Sequence, residues 1–144
     1  MEPRILTPWL ELDMVVRLIV AAFAGGLIGW EREHRQKPAG FRTHILVAVG
    51  STLFTILSIY AFGKTADPSR VAAGIVLGVG FLGAGTIIRG DGGRIVGLTT
   101  AASVWMVAAI GMAVGAGFYL LGIITSVLVF IVLLLFTKLE NLGK

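Results

Sequence analysis

Asp13 and Arg17 are the first residues whose types and spacing suggest a chemical role. They lie four residues apart near the start of an apolar stretch of bilayer length, so on a helix they face each other one turn apart. An unpaired charge costs about 2.5 to 3.5 kcal/mol at the centre of a membrane span and less near its ends. Two interpretations stay open. The pair is either mutually satisfied and snorkels outward, or it forms an outer cation vestibule in which Asp13 supplies the negative charge.

Glu31 lies 18 residues beyond Asp13, so the two carboxylates share one face of a helix at a separation of about 27 Å. Small or apolar residues lie along that face, namely Ala21, Ala24 and Ile28. One interpretation is a cation path with an acidic group at each mouth. The other is that Glu31 and Glu33 pair at the membrane surface with nearby basic residues, namely Arg32, Arg35 or Arg42.

Other kinds of chemistry find little support in the sequence. No acidic residue lies near the centre of an apolar stretch, which disfavours proton-coupled transport. The chain has no cysteine, and His34 and His44 lack the spacing of a zinc site. No triad, nucleophile elbow or phosphate-binding loop is found, so the sequence predicts neither an enzyme nor a cofactor. Because Mg²⁺ prefers oxygen ligands, its passage would use carbonyls, water and hydroxyls such as those of Thr86, Thr99, Thr100 and Ser103. The residues that would ligate a metal stay unknown.

The elements that carry these residues are predicted to be membrane-spanning helices. Hydrophobic residues make up 56% of the chain, the mean hydropathy is +0.93 and 14% of residues are charged, against about 25% in soluble domains. A span needs about 20 mostly apolar residues. The first run has no basic leader before it, so we expect it to be retained rather than cleaved. The sequence therefore predicts one all-α domain over residues 1–144, a polytopic bundle of five transmembrane helices at 12–30, 43–62, 71–88, 98–117 and 118–137.

The basic residues predict the orientation of this bundle. Eight of them lie at the end that holds the loop between spans one and two, and three lie at the opposite end, apart from Arg17 inside the first span. Because cytoplasmic loops carry an excess of Lys and Arg, the N-terminus is expected outside and the C-terminus in the cytoplasm. The same distribution argues against nucleic-acid binding. The eight are Arg32, Arg35, Lys37, Arg42, Arg89, Arg94, Lys138 and Lys144, and the three are Arg4, Lys64 and Arg70.

Glycines predict where the helices touch, because small residues let backbones approach in lipid. The first, third and fourth spans carry them at four-residue spacing and are expected to form the core, with a bulky fifth span at the periphery. Packing within one chain and assembly into a homo-oligomer, with a dimer favoured, both use such faces. The predicted contact residues are Gly25, Gly29, Gly74, Gly78, Gly80, Gly83, Gly85, Gly111 and Gly115.

Residues 78–85 (GVGFLGAG) also match a dinucleotide-binding pattern by letter. That pattern requires a preceding strand, whereas both flanks here are apolar helices. The glycines are therefore interpreted as tight packing or, alternatively, as a locally broken helix whose carbonyls line a cavity.

Five sequence blocks together resemble the MgtC/SapB family. They are residues 25–33 (GGLIGWERE), 38–44 (PAGFRTH), 70–73 (RVAA), 78–85 and 97–103 (GLTTAAS), and their order and spacing agree with the family over residues 9–117. The resemblance implies a five-span bacterial inner-membrane protein linked to magnesium limitation, acid stress and survival inside host phagocytes. The chain resembles the transmembrane domain alone, without the C-terminal cytoplasmic domain of better-known members.

The resemblance also implies partners and functional positions. Members of the family are thought to act on other membrane proteins, including the F-type ATP synthase and a magnesium P-type ATPase. Motif agreement carries functional roles to Glu31, Arg42, Thr43, Thr99 and Thr100. The function expected is a non-enzymatic contribution to magnesium homeostasis and stress adaptation through contacts with other membrane proteins. The alternative is a small oligomeric channel or transporter for Mg²⁺ or another cation.

Overall fold

The computed structural model describes residues 7–62 and 67–142, and the side chains of these residues except Asp91 and 136–142. Arg4, Lys64, Lys144 and the side chain of Lys138, which entered the orientation argument, lie outside this description. Five α-helices and one short hairpin, with a 3-10 turn (Asp91–Gly93) between its strands, make up the described chain. The helices are α1 (Pro8–His34), α2 (Phe41–Tyr60), α3 (Ser69–Ala84), α4 (Leu98–Gly115) and α5 (Tyr119–Leu142), and the hairpin pairs β1 (Ile88–Arg89) with β2 (Ile95–Val96).

The all-α prediction is confirmed, and three of the helices are long and apolar enough to cross a membrane by length and composition. These are α1, α2 and α4. Helix α3 has 16 residues, which at 1.5 Å per residue gives about 24 Å, less than the hydrocarbon thickness of about 30 Å. The apolar part of α5 whose side chains are described, Tyr119–Leu135, is also shorter than the other three.

Helix α1 is longer at both ends than the predicted span 12–30. Pro8 occupies the first turn, where its missing N–H costs no hydrogen bond, and Glu11 places negative charge near the positive end of the helix dipole. At the other end the helix continues through charged residues to His34. The ion pair between Glu31 and Arg35, one turn apart, stabilises this last turn.

The connection between α3 and α4 requires glycine. The sequence predicts continued helix to residue 88, but α3 ends at Ala84 and the chain enters the two-residue strands of the hairpin. Gly97, just before α4, has φ +97°, and a side chain there would overlap the carbonyl oxygen of Thr86. Only glycine fits this position without displacing the backbone of the hairpin.

The centre of the bundle is formed by α1, α2 and α4. A Cβ atom at Gly25 would lie 2.6 Å from the carbonyl oxygen of His44, and one at Gly29 would lie 2.8 Å from Cα of Phe41. One at Gly115 would lie 2.8 Å from the carbonyl oxygen of Thr52, and one at Gly111 would overlap that of Ala48. The close contacts predicted for these four glycines are therefore made, and all four are with the backbone of α2.

The third span packs on the core, as expected, because Ile75 and Val79 are buried in a cluster with Val104 and Ala108 of α4, but most of its glycines do not make the predicted contacts. A Cβ at Gly74, Gly78 or Gly80 would have no atom within 4 Å, and one at Gly85 would meet only carbonyls of its own helix. Of the predicted α3 positions, only Gly83 approaches another helix, 3.5 Å from Cβ of Ala101. The glycine spacing of α3 equals that of α4, but the face that bears Gly74 and Gly78 is not the face that packs.

Helix α5 lies at the periphery, as expected, but it is attached through a small face rather than being bulky all round. A Cβ at Gly122 would lie 2.5 Å from Cγ2 of Val114. The hydroxyl of Ser126 donates a 3.3 Å hydrogen bond to the carbonyl oxygen of Ala24 in α1. Leu133 is buried, whereas Ile123 and Val127 are exposed.

The turn between α4 and α5 is short, in agreement with the adjoining predicted spans 98–117 and 118–137. Gly117 has φ +91° and allows the chain to reverse within three residues.

Candidate functional site

Two polar clusters lie at opposite ends of the central helices. The first, called here the Arg17 cluster, consists of Asp13, Arg17, Tyr60, Tyr119 and the carbonyl group of Gly115. Arg17 Nε donates to Asp13 Oδ2 at 2.7 Å, and Nη1 donates to the Gly115 carbonyl oxygen at 2.7 Å. The guanidinium carbon lies 5.8 Å from the ring centre of Tyr60 and 6.0 Å from that of Tyr119.

This cluster satisfies the charges that the sequence left unexplained. The second oxygen of Asp13 accepts a hydrogen bond from the Tyr119 hydroxyl, so protein groups engage both carboxylate oxygens. Arg17 itself is 7% exposed. Asp13 and Arg17 therefore form the mutually satisfied ion pair of the first interpretation. The guanidinium of Arg17 also connects α1 with α2, α4 and α5.

The second group of charges, called here the Glu31 cluster, consists of Glu31, Arg32 and Arg35. Glu31 accepts hydrogen bonds from Arg32 Nε on one carboxylate oxygen and from Arg35 Nε, at 2.9 Å, on the other. Glu31 and Arg32 are each 2% exposed. The predicted surface pairing of Glu31 therefore occurs, but it is buried, and a buried charge left without its partner is costly.

His44 lies beside the Glu31 cluster and links α2 to α4. Its Nδ1 lies 2.8 Å from the carbonyl oxygen of Gly40, which assigns a hydrogen to that nitrogen, and its Nε2 lies 3.0 Å from Oγ of Ser103. The side chain is fully buried. Oγ of Ser103 also lies 2.8 Å from the carbonyl oxygen of Thr100. The contacts of His44 are thus those of a structural hydrogen-bonding residue.

The face between Asp13 and Glu31 is filled by packing. Ala21 and Ile28 are fully buried, and Ala24 is 8% exposed. These three side chains belong to the central hydrophobic cluster, which also contains Val107 and Ile110 of α4. Within the described helices, the predicted path between the two carboxylates is therefore part of the close-packed core.

The remaining candidate residues are spread over the end of the bundle that holds the Glu31 cluster. Arg42, Thr43 and Thr99 are exposed, while Thr100 is buried and contributes its carbonyl group to the contact with Ser103. We call this end, with Arg32, Arg35, Arg42, Arg89 and Arg94, the basic end. Among residues 7–62 and 67–142, no three His, Asp or Glu side chains come together in a way that could hold a metal ion.

Several residues of these clusters were not predicted as partners. Tyr119 is not among the residues with a role predicted from the sequence, and His44 is considered there only as a metal ligand. Thr52, whose hydroxyl donates a 2.8 Å hydrogen bond to the Gly111 carbonyl oxygen, was not singled out. Their polar side chains were the feature of the sequence that could have indicated such contacts, since a polar side chain in an apolar span needs an internal partner.

Comparison with known proteins places residues 18–142 in the MgtC family model. The protein named putative magnesium transporter YhiD from Escherichia coli K12 is 51% identical over 134 residues, which are 88% of this chain and 62% of that protein. Protein SapB of Bacillus subtilis is 44% identical over 80% of this chain and 53% of its own length. Protein MgtC of Brucella abortus is 47% identical over 76% of this chain and 45% of its own.

The chain spans about half to three fifths of the length of these relatives. No solved structure matches it.

Proposed function

This chain belongs to the MgtC family, and on that premise we propose that it is a non-enzymatic membrane protein that contributes to magnesium homeostasis and stress adaptation by contacting other membrane proteins. The filled core between Asp13 and Glu31 is the observation that favours a contact role over an ion-conducting role. Ala21 and Ile28 occupy the line between the two carboxylates with no exposed surface.

Helix α3 supports the contact role from the outside of the bundle. Leu77 is 80% exposed and Phe81 is 81% exposed, and Gly80, on the same outward side, has no neighbour within 4 Å of a Cβ position. A face that combines bulky side chains with an uncovered glycine can approach another transmembrane helix closely. A second copy of the chain, giving a dimer, and a membrane ATPase are the partners proposed for it.

The proposed setting is the bacterial inner membrane, crossed five times, with the N-terminus outside. The basic end supplies the support, because cytoplasmic connections are rich in arginine and lysine. For the shorter helix α3, local thinning of the bilayer or tilting of its neighbours accommodates the difference in length at modest cost.

The second candidate is a small oligomeric channel or transporter for Mg²⁺ or another cation. It is favoured by the name of the E. coli relative, which is 51% identical. Since the core of one chain is filled, such a path would run between copies.

Purified protein in liposomes loaded with a Mg²⁺-sensitive dye separates the two candidates. The contact role predicts no flux above that of empty liposomes. Flux clearly above that level supports the channel instead.

Site-specific cross-linking in native membranes tests the contact itself. A photo-reactive residue at Leu77 should give a defined product with a second copy or with a membrane ATPase. The matched control is Leu120 of α5, which is 71% exposed but lies on another helix. Equal products from both positions would contradict a specific contact at α3.

A further inference from the structure

An apolar groove runs between α2 and α3, where the two helices stand apart. Its volume is about 500 Å³, within the range of about 300 to 1,000 Å³ typical of small-ligand sites. Ser51 is the single polar side chain among its lining residues. Three glycines, Gly50, Gly74 and Gly78, have no atom within 4 Å of a Cβ position, so at these points the groove reaches the backbone.

The groove has the length of one leaflet of a bilayer. Its α3 wall extends from Val71 to Leu82, which at 1.5 Å per residue is about 16 Å. Its α2 wall extends from Leu46 to Phe54, about 12 Å by the same rise. Half of a hydrocarbon core of about 30 Å is about 15 Å. A single extended acyl chain therefore matches the groove in length.

The positively charged side chain of Arg42 lies near one end of the groove. Arg42 lies one helical turn before Leu46 on α2, and Cβ atoms on a helix tilt toward its N-terminus, which directs the Arg42 side chain toward the basic end. Arg42 is exposed and takes part in none of the ion pairs formed by described residues. The nearby carboxylate of Glu33 accepts a 2.7 Å hydrogen bond from the Phe41 amide instead.

We propose that the groove between α2 and α3 binds one acyl chain of an anionic phospholipid whose phosphate pairs with Arg42. Basic positions between transmembrane helices at the cytoplasmic surface are where anionic headgroups bind. An apolar groove alone would accept any chain, and Arg42 adds the preference for negative charge. This assignment gives Arg42 a role that does not depend on the proposed contact with other proteins.

Lipid retention measured by native mass spectrometry tests the proposal. The purified full chain in detergent is offered phosphatidylglycerol or phosphatidylcholine with identical acyl chains. Wild-type protein should retain phosphatidylglycerol preferentially. Arg42→Gln should reduce that preference about fivefold, as expected for one basic residue at a membrane surface. Arg89→Gln, which removes an exposed charge from the same end but off the line of the groove, is the matched control and should retain the preference.

Gly78→Leu tests the groove independently of charge. The new side chain enters open space, so the fold should be kept, as checked by an unchanged melting temperature, while retention of both lipids falls. Soluble glycerol phosphate, which has the headgroup chemistry without a chain, should not compete.

Three results would overturn the assignment. They are equal retention of the two lipids by wild type, equal loss in Arg42→Gln and Arg89→Gln, or a Gly78→Leu variant that keeps its lipid but changes its oligomer size. The last would identify a second copy as the occupant.

Discussion

Arg17 donates a 2.7 Å hydrogen bond to the carbonyl oxygen of Gly115, 98 residues further along the chain. The carbonyl groups in the last turn of a helix have no partner within the helix, so the guanidinium also completes the C-terminal end of α4. Because the same side chain pairs with Asp13, one residue joins two helix ends that the sequence separates widely. The stability of the bundle at this end therefore depends on Arg17.

Replacing Arg17 with Gln should destabilise the protein by about 2 kcal/mol. Breaking a buried ion pair costs about 3 to 5 kcal/mol, but the Asp13 side chain is 35% exposed and water screens part of the loss. Thermal unfolding in detergent measures the change. Arg70→Gln, which alters an exposed arginine, is the control and should unfold as wild type does. An equal effect in both variants would contradict the role given to the cluster.

Glycines in α3 and α4 should respond to alanine in opposite ways. Gly111→Ala places a Cβ in overlap with the Ala48 carbonyl oxygen and 3.0 Å from Cβ of Ser51, so a loss of about 2 kcal/mol is expected from overpacking. Gly78→Ala adds a Cβ atom in open space, so the stability should be unchanged or rise by about 0.5 kcal/mol, because alanine favours the helix. Melting temperatures of the two purified variants decide the point. A large loss in Gly78→Ala would show that this glycine packs against something in the assembled protein.

Gly97→Ala should prevent correct folding of the hairpin between α3 and α4. The left-handed φ of +97° and the overlap with the Thr86 carbonyl oxygen act together, and about 3 kcal/mol or more is expected. Gly92 is the matched control, since it has φ +73° but open space around its Cβ position. Gly92→Ala should therefore cost only about 1 kcal/mol of backbone strain. Similar losses for both would mean that φ, not the overlap, determines the requirement for glycine.

The helices could be predicted from the sequence because their apolar runs are long and are separated by short polar segments or, between the fourth and the fifth, by glycines. The ends of the helices could not be predicted as closely, for a physical reason. Glu31 and Arg35 are charged, so they were assigned outside the first span, yet their ion pair lets α1 continue to His34. Local charge pairing, rather than hydropathy, decides where this helix ends.

The partners of each helix could not be predicted in the same way. Gly74 and Gly78 in α3 repeat the spacing of Gly111 and Gly115 in α4, but only the second pair meets another backbone. His44 and Ser103 are 59 residues apart, and their contact follows from the packing of α2 on α4. Spacing along one helix shows that a close approach is allowed, while the choice of neighbour depends on the whole bundle.

Glu31→Gln should lower stability by about 3 kcal/mol, because it leaves the buried Arg32 guanidinium without a counter-charge while preserving the volume of the side chain. Unfolding in detergent measures the loss, and Glu11→Gln, which alters an exposed carboxylate in the first turn of α1, is the control. Adding Arg32→Gln to Glu31→Gln should recover part of the loss, since the remaining group is then uncharged. If the double variant is no more stable than the sum of the single changes predicts, the two charges do not act as a pair, and Glu31 is stabilised by Arg35 alone.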